Sequence, residues 1–315
     1  MMTNATNCTM EQIKFHYYIQ LIPLFFHIPV FIFGAIFNAL ALWVFCCKVV
    51  KRTETKIYMI NLVIADCSLV CVLPFLIYFR LKNWPRNEAC LAVEIMYMVN
   101  MLMSIYIITA ITVDRYIAIK HPLKAKSLRS PLKAAVTCGL LWLLVIISLY
   151  LRRRSVNESI CLQKISTRPT TFLPFFFAFG FLIPLIILSS CSIQIIKTLR
   201  KRIHTNPHEK KIFQKGIYVV SANMTVFTVC FSPFCIGEFA RFVMENGTVS
   251  CFAIQNVRNF NFIAMSIANS NCCLDTFCYY FVAKELQEVF FFSKSNCSGT
   301  NQTCSSQRQI NVTVM

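Results

Sequence analysis

A chain of 315 residues with 57% hydrophobic side chains, 29 Phe and a mean hydropathy of +0.59 carries more apolar surface than a water-soluble domain can bury. Its formal charge of +18 does not indicate nucleic-acid binding, because the basic residues lie between apolar runs and do not form one face. The composition therefore predicts an all-α membrane protein that contacts lipids and does not bind nucleic acid.

Seven apolar runs are long enough to cross a hydrocarbon core of about 30 Å as helices. Most Lys and Arg fall in segments that are cytoplasmic if the N-terminus lies outside, as the positive-inside rule expects. The sequence thus predicts a multi-pass seven-helix bundle in the plasma membrane with an extracellular N-terminus. In chain order the predicted spans are residues 17–45, 56–79, 91–113, 132–151, 171–196, 214–244 and 252–280.

The same topology divides the chain into four parts. They are an extracellular N-terminal tail at 1–16, the membrane domain at 17–280, a short amphipathic eighth helix at 281–292 and a cytoplasmic tail at 293–315. The basic segment 197–215 is predicted to be the loop between the fifth and sixth spans. No cleavable signal peptide is recognised before the first span, which is expected to act as its own signal.

Some residues in the predicted outside segments are candidates for covalent modification. Asparagines in glycosylation sequons stand at Asn4, Asn7, Asn157 and Asn246. Most of the 17 Cys lie within apolar runs, but Cys8, Cys90, Cys161 and Cys251 fall outside the membrane and can pair in an oxidising compartment.

Two places in the spans carry charges that are costly in a bilayer. Asp114 and Arg115 stand side by side at the inner end of the third span, before the helix-ending Pro122. Neighbouring opposite charges can hold each other neutral until another group competes for the arginine, which indicates a switch; the alternative is a pair of snorkelling anchors. Asp66 lies near mid-membrane and is a functional candidate for that reason.

Successive spans carry a set of landmark residues: Asn38, 61–66, Cys90, 114–116, Trp142, Pro184, 230–233 and 275–279. Together they resemble the rhodopsin-like (class A) G-protein-coupled receptors. Stretches 41–47, 129–131 and 271–275 are similar to a member of that family whose ligands are small aromatic acids, and a lysolipid receptor is the next most similar. The resemblance covers residues 17–292 and implies a cell-surface receptor that signals to heterotrimeric G proteins, of the inhibitory and Rho-activating classes by analogy, with arrestin as a further partner.

The resemblance implies a role for each of several residues in activation. Arg115 pairs with Asp114 at rest and meets the G protein when the sixth span swings outward, with Tyr116 and Tyr279 in the same switch. The implied bend and packing relay of the sixth span are Pro233, Phe227 and Phe231. Two residues depart from the family pattern: Ser192 stands where many relatives have tyrosine, and Thr276 replaces the usual proline after Asp275.

Oxygen-bearing side chains can gather around Asp66. Asn100 and Ser104 are four residues apart and share a face of the third span, as Asn271 and Asp275 do on the seventh. The resemblance implies a sodium ion among these five residues; the alternative is a water-filled hydrogen-bond network. No other cofactor is expected.

The outer halves of the spans decide the class of ligand. Tyr97 stands where amine receptors place an aspartate, which disfavours a cationic ligand. Guanidinium groups suit a carboxylate or phosphate, and candidates at the outer ends are Arg152, Arg241 and Arg258. Below them Tyr97, Met101 and Phe234 predict a less polar floor that fits a lipid with an acidic head.

Alternatives remain for these arginines and for the function. Glu238 is three residues from Arg241 and can neutralise it, and the other arginines can face headgroups or water. The resemblance implies a Cys90–Cys161 disulfide; a Cys8–Cys251 pair is a further hypothesis. The preferred function is a receptor for a lysophospholipid or small carboxylic acid. A non-signalling decoy receptor and a transporter are the alternatives, and the absence of catalytic motifs argues against an enzyme.

Overall fold

The computed structural model describes residues 10–48, 53–154, 161–162, 173–205, 209–247 and 250–276, except for the side chains of 10–24, 48, 126, 152–154, 251 and 255. Each long regular element in these ranges is a helix. In chain order they are α1 Met10–Trp43 with a π-helical end at Val44–Lys48, α2 Glu54–Leu81, α3 Glu88–Lys120, α4 Pro122–Leu128, α5 Pro131–Arg154, α6 Leu173–Phe177, a π-helical turn at Ala178–Leu182, α7 Ile183–Thr205, α8 Lys210–Asn246 and α9 Cys251–Asn269.

Six membrane-length apolar helices are found within the described ranges. Their candidate spans are Phe25–Cys47, Glu54–Leu81, Glu88–Lys120, Pro131–Leu151, Leu173–Thr205 and Lys210–Asn246. α9 packs against α8 and α1 and, with the helical turn at 271–276, forms the seventh helix. The predicted seven-helix bundle is therefore confirmed, whereas the predicted amphipathic helix at 281–292 and the tail at 293–315 lie outside the described residues.

Two predicted boundaries differ from the structure. α1 begins at Met10, within the segment 1–16 that was assigned to the tail. The segment 197–215 is not a loop over most of its length, because α7 continues to Thr205 and α8 begins at Lys210. Its Lys, Arg, Leu and Ile residues are compatible with a helix until Pro207, which disfavours the helical conformation of the residue before it. Arg202 Nη2 donates to the carbonyl of Ile119 over 2.8 Å, so the extension of α7 is tied to α3.

Helix α3 lies at the centre of the bundle. It packs against α2, α4, α5, α7 and α8, and buried residues occur on all of its faces. Asn87 caps its start, since its side chain accepts a hydrogen bond from Cys90 N over 3.0 Å. The helix ends at Lys120, immediately before the chain turns at Pro122, as predicted. A helix in this position can transmit a displacement from one membrane face to the other.

Buried amides join the helices where apolar packing alone would leave their relative positions less defined. Asn38 on α1 donates to the carbonyl of Cys272 over 3.1 Å. Trp142 Nε1 on α5 donates to Asn61 Oδ1 on α2 over 3.1 Å. Because polar groups in a bilayer must find partners inside the protein, these bonds specify which helices are neighbours.

The π-helical turn before α7 follows from Pro184. Proline has no backbone N–H, so the carbonyl four residues earlier lacks its usual donor and the helix widens. The Ile183 N–H then reaches the Ala178 carbonyl, and the hydroxyl of Tyr106 on α3 donates to the Phe179 carbonyl over 3.3 Å. The turn therefore fixes the outer half of the fifth span against α3.

Two helical glycines provide a matched test of the packing between α8 and α9. A Cβ atom at Gly237 would overlap the amide oxygen of Asn261 and lie 2.9 Å from the Phe260 ring, whereas one at Gly139 meets nothing within 4 Å. We expect Gly237→Ala to lower the Tm of the purified protein by several degrees. Gly139→Ala should leave Tm unchanged or raise it slightly, because alanine favours helix by about 1 kcal/mol over glycine. Equal Tm values for the two variants would contradict this packing.

Candidate functional site

At the C-terminal end of α3, a carboxylate is held by an arginine from the following segment. Arg129 Nε lies 2.8 Å from Asp114 Oδ1, and Arg129 Nη2 lies 2.8 Å from Asp114 Oδ2. Arg129 Nη2 is also 3.5 Å from Glu54 Oε2 at the start of α2. The resemblance implied that Asp114 pairs with Arg115; in the structure both of its oxygens instead accept from Arg129. This two-bond arrangement connects α2, α3 and the segment before α5.

Arg129 stays charged in this position. Burial alone would lower the pKa of its guanidinium, but the hydrogen bonds and charge of Asp114, together with the charge of Glu54, raise that pKa above its ordinary value. Because both Arg129 and Asp114 are charged, replacing Arg129 with a neutral residue removes an electrostatic attraction as well as packing contacts.

Arg115 and Tyr116 directly follow Asp114 along α3. Arg115 is 7% exposed, and the Tyr116 hydroxyl lies 3.3 Å from Gln194 Oε1 on α7. An apolar cluster joins α3, α7 and α8 around them, so the inner ends of these helices are closed in this structure. The buried residues of the cluster are Ile119, Ile195, Leu199, Phe213 and Val220. Tyr279 lies outside the described residues.

The predicted relay residues form a buried aromatic stack in the middle of the bundle. The rings of Phe227 and Phe231 meet edge to face at 5.5 Å, and Phe227 stacks on Phe181 of the π-helical turn at 6.0 Å. Pro233 lies inside α8 one turn from this stack. The outward swing that the resemblance implies for α8 would have to break or slide these contacts.

The five residues around Asp66 are buried close to one another. Asn100 Nδ2 donates to Asp66 Oδ1 over 2.8 Å, and Asn271 Nδ2 lies 3.3 Å from Asp275 Oδ2. Three oxygens here have no hydrogen-bond partner: Asp66 Oδ2, Ser104 Oγ and Asn271 Oδ1. Buried oxygens without donors, beside two carboxylates, form a set that a hard cation can bind.

The three residues of the predicted pocket floor pack in one core cluster. Tyr97, Met101 and Phe234 join the main core cluster, with Met101 and Phe234 buried. The Tyr97 hydroxyl accepts from Asn269 Nδ2 over 2.7 Å, and the same amide nitrogen lies 3.1 Å from His27 Nε2. An apolar floor is therefore flanked by a polar network that links α1, α3 and α9.

Two arginines of the predicted rim, Arg241 and Arg258, are paired with acids. Arg241 Nη2 lies 2.7 Å from Glu238 Oε2, and Glu245 Oε1 lies 3.6 Å from Arg241 and 3.4 Å from Arg258. Asn261 Nδ2 donates to the other oxygen of Glu238 over 2.8 Å. Arg241, Arg258, Glu238 and Glu245 therefore form one cluster of two cations and two anions. Arg241 is neutralised by the acids beside it, which was the alternative to a ligand-binding role, and Arg258 is neutralised in the same cluster.

Residues 161–162, between α5 and α6, are fastened to the first turns of α3. Cys90 and Cys161 form the predicted disulfide, with their Cα atoms 5.8 Å apart. Beside it Glu94 Oε1 accepts from Leu162 N over 3.0 Å, and Glu94 lies 3.6 Å from Arg86. The candidates outside the described side chains are Arg152, Cys8, Cys251, Asn4, Asn7 and Asn157; Asn246 is exposed at the end of α8.

Several residues of these sites were not identified from the sequence. Arg129 and Glu54 are separated from Asp114 along the chain, and only the basic run after Pro122 indicated a partner in that segment. His27 and Asn269 are polar residues within apolar spans, and this unusual position is the feature by which the sequence distinguishes them. Arg80 lies in the last turn of α2, where arginines commonly anchor a span at the membrane surface, so its position alone does not indicate a binding role.

The family follows from comparison with known proteins. The sequence model of the family described as "7 transmembrane receptor (rhodopsin family)" matches residues 37–279, which is most of the chain. The chain belongs to this family. It is thus a receptor and not an enzyme, and like its relatives it is a multi-pass protein of the plasma membrane.

Individual relatives place the receptor within the family. It is 40% identical to the human (Homo sapiens) protein named G-protein coupled receptor 35 over 82% of each chain. It is 38% identical to human G-protein coupled receptor 55 over 83% of this chain and 85% of that one. It is also 32% identical to human Lysophosphatidic acid receptor 4 over 84% of this chain and 75% of that one.

The Asp114–Arg129 contact can be tested by its contribution to stability. Arg129→Gln removes two charge-assisted hydrogen bonds of a partly buried carboxylate, so we expect a loss of about 2 kcal/mol and a fall in the Tm of the purified receptor. Arg129→Lys should recover part of the loss, since lysine keeps the charge but not the two-pronged geometry. Lys124→Gln, which removes an exposed charge from the same segment, should leave Tm unchanged. Equal Tm values for all three variants would show that the contact adds nothing.

Proposed function

We propose that this receptor binds an anionic ligand, a lysophospholipid or small carboxylic acid, from outside the cell and activates heterotrimeric G proteins inside. The observation that carries the proposal is the combination of membership of the rhodopsin family with similarity to Lysophosphatidic acid receptors 4 and 6. The inhibitory and Rho-activating classes of G protein, and arrestin, are the proposed intracellular partners. The proposed orientation has the N-terminus outside, which is supported by the distribution of basic residues.

The pocket chemistry supports an amphipathic anion. Met101 and Phe234 offer an apolar surface, and Tyr97 at the position of the amine-binding aspartate leaves a cationic ligand without a counter-charge. An acyl chain or aromatic ring suits this floor, while the acidic group requires a cation or hydrogen-bond donors nearby.

The proposed signal is a shift between two arrangements of the helices. A ligand changes their populations only to the extent that it binds one arrangement better than the other. In the closed arrangement Arg129 holds Asp114 and the apolar cluster of α3, α7 and α8 covers the inner face. Activation in this proposal opens that cluster and presents Arg115 to the G protein.

We also propose that sodium binds among Asp66, Asn100, Ser104, Asn271 and Asp275. The three unpartnered oxygens support a cation there, and its positive charge would offset the two buried carboxylates. Through these residues α2, α3 and the end of the seventh helix share one polar centre, so an ion at this position would favour the closed arrangement.

A decoy receptor that binds without signalling is the second candidate. It is favoured by Ser192, which is buried where many relatives have tyrosine, and by Thr276 in place of proline. Ligand binding without nucleotide exchange would distinguish the decoy from the signalling receptor.

Nucleotide exchange on purified G proteins tests the proposed function. We expect oleoyl lysophosphatidic acid, lysophosphatidylinositol or an aromatic carboxylate to accelerate exchange, and lysophosphatidylcholine, whose head has no net charge, to be much weaker. Arg115→Gln should abolish the acceleration at normal surface expression while the radiolabelled ligand still binds, because Arg115 acts at the inner face. Activation by cations alone, or full exchange by the Arg115→Gln receptor, would refute the proposal.

The sodium site is tested by thermal stability. Replacing choline chloride by sodium chloride at constant ionic strength should raise the Tm of the wild-type receptor and leave that of Asp66→Asn unchanged, since the variant lacks the charged ligand oxygen. Asp114→Asn, which neutralises a carboxylate outside the site, should keep the sodium effect. If wild type and Asp66→Asn respond equally to sodium, the ion does not bind at these residues.

A further inference from the structure

Arg80 differs from the other arginines at the outer face. It lies in the last turn of α2, partly buried, with its guanidinium carbon 4.7 Å from the centre of the Phe262 ring on α9. Its Nε–H is buried and has no hydrogen-bond partner. Among the described residues no carboxylate lies within 4.0 Å of Arg80, whereas Arg86, Arg241 and Arg258 each have one.

His27 presents a second donor without an acceptor on the same side of the bundle. Its ring is 2% exposed, and its Nε2 lies 3.1 Å from the amide nitrogen of Asn269. An amide nitrogen can only donate, so Nε2 accepts and the ring proton resides on Nδ1. That Nδ1 atom is buried and has no partner. Arg80 is close enough to act electrostatically on both His27 and Tyr97.

An arginine can remain in this position while no anion is bound. The Phe262 ring attracts the guanidinium through its negative face, and the last carbonyl groups of α2 favour a cation at the helix end. These are weak substitutes for an anion, because neither accepts the Nε–H in a directed hydrogen bond. A buried donor without an acceptor is costly, and two such donors, Arg80 Nε and His27 Nδ1, occur here on the neighbouring helices α2 and α1.

We propose that Arg80 and His27 bind the acidic group of the ligand, a carboxylate or phosphate, and that the pocket floor at Tyr97 and Met101 receives its apolar part. An anion bound here accepts hydrogen bonds from Arg80 and from His27 Nδ1, and it supplies a negative counter-charge for the guanidinium of Arg80. This inference rests on the proposed function, because it assigns the residues that hold the proposed ligand.

Arg241 and Arg258, which the sequence indicated as ligand-binding residues, are less suited to bind the anion. An anion at Arg241 or Arg258 has to compete with Glu238 and Glu245, whose side chains already lie within 2.7 to 3.6 Å of the guanidinium groups. No such competitor stands beside Arg80 in the part of the chain that the structure describes. The acidic cluster then acts as a tie between α8 and α9.

Functional assays with charge-matched variants test the assignment. The probes are oleoyl lysophosphatidic acid, for a lipid source of the anion, and naphthoate, for a free acid. Arg80→Gln should raise the half-maximal concentration of the active probe about ten- to a hundredfold, the value of a lost charge-assisted hydrogen bond. Lys82→Gln removes an exposed charge two residues away and should have no effect. Arg80→Lys and His27→Phe should raise the half-maximal concentration less, by several-fold. These two variants keep the assignment testable if Arg80→Gln fails to reach the cell surface.

A binding test without signalling separates this inference from the proposed function. Inorganic phosphate, compared with chloride at equal ionic strength and sodium concentration, should raise the Tm of purified wild type and Lys82→Gln but not of Arg80→Gln. Stabilisation by phosphate without any nucleotide exchange would support the anion site and refute the proposed signalling function. If Arg80→Gln keeps wild-type responses while Arg241→Gln loses them, or if phosphate does not stabilise wild type, the Arg80 assignment is wrong.

Discussion

The central constraint on this receptor is that a buried polar or charged group in a bilayer must find its partner inside the bundle. Several such groups do so across helix boundaries: Asn38 reaches the Cys272 carbonyl, Asn61 receives the Trp142 indole, and Asp66 receives the Asn100 amide. Lipid does not drive helices together as water does, so these bonds do much to determine which helices are adjacent. The arrangement around α3 depends on them more than on the length of the apolar runs.

Two groups of buried polar atoms without a hydrogen-bond partner coincide with the proposed ligands. Around Asp66 three oxygens have no partner, and Arg80 Nε and His27 Nδ1 have none either. The charge of the side chains in each group indicates the charge of the missing partner, a cation beside the two carboxylates and an anion beside the guanidinium. Other buried atoms, such as Trp84 Nε1 and Asn261 Oδ1, also have no partner, so it is the nearby charge that distinguishes these two groups.

The sequence predicted the seven spans because a continuous apolar run leaves a helix as the only form that satisfies its own backbone. It also predicted that Asn100 and Ser104 share a face of α3 and that Asn271 and Asp275 share a face of the seventh helix, because i, i+4 spacing is a local property. The loop at 197–215 was misjudged because charge was taken as the end of a helix, although Lys and Arg are good helix formers. The Asp114–Arg129 and Glu245–Arg258 contacts depend on how separate segments meet in space, and residue spacing carries little of that information. The position of Arg80 at the end of a span can be read from the sequence, but only the structure shows that no carboxylate of the described residues lies beside it.

The location of the anion site bears on how binding could reach the inner face. Arg80, His27 and Phe262 belong to α2, α1 and α9, so an anion among them draws those helices together at their outer ends. α2 also carries Asp66 at its middle, and Glu54 beside Arg129 at its inner end. A rigid displacement of α2 relative to α3 would therefore alter all three charged centres together. An acidic group bound only to Arg241 and Arg258 would instead act on α8 and α9. Glu245 already links these two helices through its contacts with Arg241 and Arg258. Of the two positions, the one beside Arg80 has the more direct mechanical connection to the Asp114 ion pair.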